Sequence, residues 1–168
     1  MLFQSEKPAE PPKPTDKNEA FEVFKKHRGS ELSSSLMENK RLLREKKKAM
    51  KTTATLVNDL KKEIDSLRAF LESQRQERRK RPDFDEEQEV VDMKEFEAMK
   101  RIKEAKRQYR ENFEAFKQLQ SDSEYLAGSI SQCREKLLSE FEEWFGDPPL
   151  PAIAAAAAPA VTFGLTTS

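Results

Sequence analysis

Two series of apolar positions, each repeating every seven residues, run through the middle of this chain. The first is Leu36, Leu43, Met50, Val57, Ile64 and Leu71, in a stretch opening at Ser35 that meets no glycine or proline until Pro82. A seven-residue repeat keeps one edge of an α-helix apolar, as a coiled-coil seam requires. Three residues on lie Asn39, Lys46, Thr53, Leu60, Leu67 and Gln74, so the seam is fully apolar only between Val57 and Leu71. The weaker N-terminal half leaves room for another helix over Leu42, Leu43 and Leu56. The second series is Ile102, Tyr109, Phe116, Ser123, Ile130, Leu137 and Trp144. Met99, Phe113, Ala127 and Phe141 read as its companion line, and Leu119, Leu126 and Cys133 widen it. So broad a stripe predicts more than one partner helix.

Punctuation residues divide these patterns into elements. Residues 1–15 are proline-rich, and Pro8, Pro11, Pro12 and Pro14 cannot donate to a helix or a sheet, so a disordered or extended segment is expected there. Asp16 and Glu19 have capping-box spacing ahead of "AFEVF", which predicts a short helix over 16–29 closed by Gly29 and Ser30. Ser35 and Glu38 repeat that spacing and predict a long helix over 35–80, roughly 65 Å at 1.5 Å per residue. Pro82 breaks it, and Asp83 with Glu86 predicts the start of a third helix over 84–145. Residues 147–168 form a low-complexity alanine and proline tail, expected to be disordered. The predicted fold class is all-α: a helical domain over 16–146, built as a coiled coil or antiparallel helical hairpin with a short N-terminal helix and disordered termini.

Folding the two long helices back about Pro82 pairs positions whose numbers sum to about 166. Phe21 and Phe24 would then meet Phe141, Trp144 and Phe145 in an aromatic clasp at the open end of the hairpin, where fraying is otherwise cheapest. The same fold sets Arg75, Arg78, Arg79, Lys80 and Arg81 against Asp83, Asp85, Glu86, Glu87 and Glu89, an arrangement that favours the antiparallel pairing.

Composition narrows the chemistry. Charged residues make up 37% of the 168, with 31 Lys and Arg against 31 Asp and Glu, so the global charge predicts neither a nucleic-acid coat nor an acidic substrate. The single cysteine, Cys133, excludes an intrachain disulfide or a thiolate metal cluster and has no histidine beside it; the only histidine, His27, ends a short helix. With no glycine-rich phosphate loop either, no catalytic, cofactor, metal or small-molecule site is expected. The apolar run 152–161 is too short to span a bilayer and is broken by Pro159, and no basic and apolar leader opens the chain, which predicts a soluble intracellular protein. What remains is local charge. The stretch "KRLLREKKKAMK" over 40–51 and the run Arg75, Arg78, Arg79, Lys80 and Arg81 are candidate contacts for an acidic protein surface, although solvated helix faces commonly look the same.

The order of blocks is informative beyond this. "EAFEVFKKHRGS", "ENKRLLREKKKAM", a heptad helix ending in "ESQRQERR", then "RIKEAKRQYRENFEAFKQL" and "REKLLSEFEEWF" resemble the C-terminal, non-motor domain of the kinesin-9 family. That resemblance implies association with microtubules and with the axoneme of cilia and flagella, hence a cytoskeletal location, with protein partners that include microtubule or axonemal proteins and a second copy as a homodimer. These 168 residues carry no P-loop or switch motif, so the family's ATPase activity does not transfer, whereas dimerisation, positioning and docking do. A different reading of the same residues is a charged coiled-coil adaptor for another protein's helix, whose aromatics would stand exposed in the free protein. A third is a regulatory tail acting on a motor in trans.

Overall fold

The computed structural model describes residues 11–88 and 90–146. The proline-rich residues 1–10 and the tail 147–168, both read above as disordered, lie outside them. Three α-helices, α1 (Lys17–Lys26), α2 (Ser30–Arg79) and α3 (Met93–Phe145), and a 3-10 turn at Glu86–Gln88 make up the regular structure, with no strand among the described residues. The chain divides into two compact units. One comprises the segments up to Leu42 and from Leu126 onward, and the other spans Leu43–Tyr125.

In the first unit, α1 opens where Asp16 Oδ2 accepts the Glu19 backbone N–H at 3.1 Å, and closes at His27, whose N–H returns to the Val23 and Phe24 carbonyls. The next helix starts at Ser30 rather than Ser35. Gly29 serves as its entry: the Gly29 carbonyl accepts from Ser33 N–H at 2.9 Å, while the Gly29 N–H reaches back to Phe24. Glycine is needed here for space, because a Cβ on Gly29 would lie 2.5 Å from Cε1 of Phe24, a ring with no solvent exposure. Ala20 and Phe24 of α1, with Leu137, Phe141 and Trp144 of α3, form the core of this unit, and Leu32 and Leu36 of α2 pack against it. At Gly146 the backbone turns to φ 87°, the left-handed conformation in which glycine ends a helix at least cost.

In the second unit α2 and α3 run antiparallel, joined by residues 80–92. Lys46 meets Asp122, Met50 meets Ser123, Glu63 meets Arg101, and Arg78 meets Glu95. The third helix begins nine residues later than the Asp83 and Glu86 spacing predicts. Glu86 instead begins the 3-10 turn, in which Asp85 Oδ1 accepts the Glu87 N–H, whereas Asp92 and Glu95 make the reciprocal capping box: each side chain accepts the other's backbone N–H, at 3.3 and 2.8 Å. The expected pairing of the basic run with the acidic turn is not made by four of its five bases. Among the described residues no ion pair joins Arg75, Arg79, Lys80 or Arg81 to Asp83, Asp85, Glu86 or Glu87, and Arg78 bonds to Glu95 instead; Glu89 lies outside the described residues.

Gly29 and Gly128 should respond to alanine in opposite ways. Gly128, mid-helix with nothing within 4 Å of a built Cβ, should gain roughly 0.5–1 kcal/mol as Gly128→Ala. Gly29→Ala should lose roughly 1–3 kcal/mol through overpacking on Phe24. Denaturant melts followed by circular dichroism check both, and equal effects would show that the close approach at Gly29 has no consequence.

Candidate docking surfaces

Burial follows the heptads on both long helices. On α2 Leu60 and Ile64 are buried, and Leu36, Leu43, Met50, Val57, Leu67 and Leu71 are half-buried. On α3 Ile102, Ser123, Ile130, Leu137 and Trp144 of the predicted series are buried, and Tyr109 and Phe116 half-buried. The companion line differs from the expected one. Ala98 and Ala105 are buried and Asn112, Leu119, Leu126 and Cys133 half-buried, while Met99 and Phe113 are 46% and 40% exposed. These two lie one helical position away from the buried line and keep much of their surface in solvent. Only Phe141 of that line is buried, because there α1 covers it. Breadth of the stripe therefore marks a third helix in the first unit alone. The extra cover expected over Leu56 is absent, and it is 44% exposed.

Small and polar seam positions, which sequence reasoning discounted, turn out to be matched. Ala105 gives Leu60 and Ile64 a place to pack, with Tyr109 beside them. In the first unit Asn39 donates to Ser129 Oγ at 3.2 Å. In the second, Lys46 donates to Asp122 at 2.8 Å and Ser123 Oγ lies 3.4 Å from the Met50 sulfur. A polar seam residue with a polar partner sets register at some cost in stability. The last seam layer is charged: Glu95, 1% exposed, takes the guanidinium of Arg78. Asp92 with Glu95, and the alanines seven apart at 98 and 105, were the sequence signals for these features.

The clasp residues come together. Phe21 and Phe24 sit edge-on to Phe141 with centroids 4.9 and 5.6 Å apart, Phe24 lies 5.5 Å from Trp144, and Phe145 stacks on Phe141 at 5.6 Å. Lys13 Nζ lies 5.2 Å from the Trp144 ring, so the segment before α1 also contributes to its cover.

Charge outside the seam is unevenly used. Hydrogen bonds from Arg101 and from Lys46 hold the Glu63 and Asp122 carboxyls below their ordinary values, Gln118 assisting at Asp122. Arg107 and then Gln108 hold Glu104 at about 2, and Arg107 also reaches Glu111. By contrast Arg75, Arg79, Lys80 and Arg81 are exposed and have no ion pair among the described residues, as is true of Arg44, Lys47, Lys48 and Lys51 in the earlier basic stretch. A third basic segment, 100–110, was not singled out from the sequence: it holds six bases and one acid, and Lys100, Lys103, Lys106 and Arg110 are exposed. Among the described residues no group of acids, histidine or cysteine could hold a metal ion, and no helix is long and apolar enough to cross a membrane.

These features define an all-α protein in which the long helices α2 and α3 pack on each other within each unit, with a short helix added in the first. Residues 14–150 match the family model described as the kinesin-like protein KIF9 domain, and the chain belongs to that family. It is 33% identical over 138 residues to kinesin-like protein KIF9 of Mus musculus and 32% identical over 142 residues to that of Homo sapiens, which cover 82% and 84% of this chain. Kinesin-like protein KLP1 of Chlamydomonas reinhardtii is 29% identical over 131 residues, 77% of the chain. The match spans only 18%, 18% and 16% of these relatives' own lengths. No solved structure matches.

Trp144, 5% exposed within the clasp, should cost roughly 3–5 kcal/mol when replaced by alanine, read as a lower midpoint in denaturant; an unchanged melt would refute the clasp. Acid should weaken the second unit through Glu63 and Asp122. Their depressed values add stability above the ordinary carboxylate range, which is lost as pH falls through the folded values, so the melting temperature should drop below about pH 4.5. Glu63→Gln with Asp122→Asn should flatten that decline, and an identical slope would exclude these pairs as its source.

Proposed function

We propose that this chain is a non-catalytic assembly and docking module that holds a kinesin-9-type protein on microtubule-based structures, the ciliary axoneme among them. Family membership supports the kinesin connection, and the observation that carries the docking role is the basic turn. Arg75, Arg79, Lys80 and Arg81 project from the end of α2 and the start of the loop with no ion pair among the described residues, in a chain whose acids and bases are equal in number. Such a cluster suits an acidic protein surface of the kind tubulin presents in its tails, and it acts through screened charge rather than shape. Arg78 is set apart from this role by its bond to the buried Glu95. The adaptor reading loses its main support, since the aromatics it requires on the surface, Phe24, Phe141 and Trp144, are buried.

Co-sedimentation with polymerised microtubules across a salt series tests the proposal. Pelleting should weaken steeply with salt, and Arg79→Glu, Lys80→Glu and Arg81→Glu together should reduce affinity by at least about tenfold, with Arg78 left in place so that the seam is undisturbed. Absence of pelleting at low salt would overturn the microtubule contact.

A further inference from the structure

The two edges of the seam in the second unit are unlike. On α3 Arg101 precedes the buried Ile102 and Met99 follows the buried Ala98, so the two flank the seam on opposite sides; Glu63 before Ile64 and Arg68 after Leu67 do the same on α2. The Glu63 and Arg101 edge is closed by charge across the helices, with both carboxylate oxygens of Glu63 accepting from the guanidinium. On the other edge Arg68, Leu71, Glu72, Arg75 and Met99 line an open groove of about 550 Å³, beside the bonded Arg78 and Glu95. Bases continue it on both helices. Lys61, Arg68 and Arg75 stand seven apart on α2, and Lys103, Lys106 and Arg110 lie between Met99 and Phe113 at intervals of three and four, all exposed. Among the described residues none of these bases has an ion pair, although Asp65 and Glu72 are interspersed with those of α2. Like charges brought to one edge repel, and nothing in the second unit's described residues offsets them.

We propose that this edge is a docking groove for an acidic amphipathic α-helix of a partner protein, which lies along α3 from Met99 to Phe113 with its carboxylates between the bases of the two helices. Charge selects an acidic occupant, and the first unit shows what kind of element fits. Met99 and Phe113 belong to the same seven-residue line of α3 as Phe141, which is 3% exposed because the helix α1 covers it, whereas they are 46% and 40% exposed. The two are separated by two heptads, roughly 21 Å at 1.5 Å per residue, an interval at which a helix repeats its own apolar edge. Tyr109 stacks on Phe113 at 6.0 Å, so this anchor is already held in place. Docking here leaves Leu60, Ile64 and Ala105 packed as they are and makes no use of the clasp aromatics. It is independent of the microtubule contact, since Arg79, Lys80 and Arg81 take no part.

Fluorescence anisotropy of the full chain with a labelled synthetic peptide tests it, the peptide being about three heptads long with leucine at a and d and glutamate at the flanking e, g and b positions. It should bind, lose affinity as salt rises and gain helical circular dichroism in the complex. Arg68→Glu with Lys103→Glu and Lys106→Glu should weaken binding at least roughly tenfold. Met99→Ser with Phe113→Ser, which leaves charge untouched, should weaken it at least about fivefold. A peptide of the same composition with its leucines dispersed around the helix should bind at least roughly tenfold more weakly. Arg79→Glu with Lys80→Glu and Arg81→Glu should leave peptide affinity within about twofold, whatever it does to microtubule pelleting. Helical circular dichroism of each variant checks that it folds. No binding of the amphipathic peptide, equal binding of the dispersed one, indifference to the groove substitutions, or loss only in the 79–81 variant would overturn the proposal.

Discussion

Packing of the seven-residue series on α2 against the matching series on α3 is the interaction on which each unit depends. A chain in which 37% of residues are charged and the mean hydropathy is −0.89 has little apolar surface to remove from water. Concentrating that surface on one edge of each helix is the economical arrangement, since every seam residue is then shielded by the facing helix as well as its own. The seam is thin. Only a few side chains in the second unit, Leu60, Ile64, Ala98, Ile102 and Ala105 among them, fall below a tenth exposure, and the rest are half covered. Helices held by so narrow a strip slide easily in register unless something fixes them, and here the polar seam positions do so.

Register and termination come from the residues that make poor core. Lys46 with Asp122, and Arg78 with the buried Glu95, each tie one position of α2 to one position of α3. A slip by one turn would strand these groups without partners, and an unpaired buried carboxylate is far more costly than a lost apolar contact. Glu95 also accepts the Asp92 N–H, so one side chain both ends the seam and starts the helix. The opposite solution operates in the first unit, where aromatic area replaces charge: Phe24 packs edge to face on Phe141 and tilted against Trp144, and the missing Cβ of Gly29 lets Phe24 in.

With the seam satisfied inside the chain, any association must use the outer faces, and those faces are where charge is segregated. Bases gather at 75–81 and 100–110, acids at 83–93. Exposed ion pairs within one helix, such as Arg107 with Glu104 and Glu111, neutralise locally and contribute little. The exposed bases of these blocks that make no such pair among the described residues, Arg79, Lys80, Arg81, Lys103 and Lys106 among them, retain their field, which makes recognition dependent on salt and on the charge pattern of the partner. Membership of the kinesin-like protein KIF9 domain family supplies the biological setting for such surfaces.

Much of this could be read before any fold was known. Period, proline and glycine placement determined three helices, their antiparallel return and the aromatic clasp, because each is a local or near-symmetric property of the residue order. Helix starts were legible in kind but not in place: Asp83 and Glu86 have the same spacing as Asp92 and Glu95, and only the packing of Arg78 onto Glu95 decided which box holds α3. Tertiary structure alone decided which edge of α3 faces α2. Met99 and Phe113 are more apolar than Ala98 and Ala105, yet the alanines are buried, because two helix backbones approach closely only where side chains are small. Sequence determined that there would be a seam; the distance between the helices decided which residues form it and which stay in solvent.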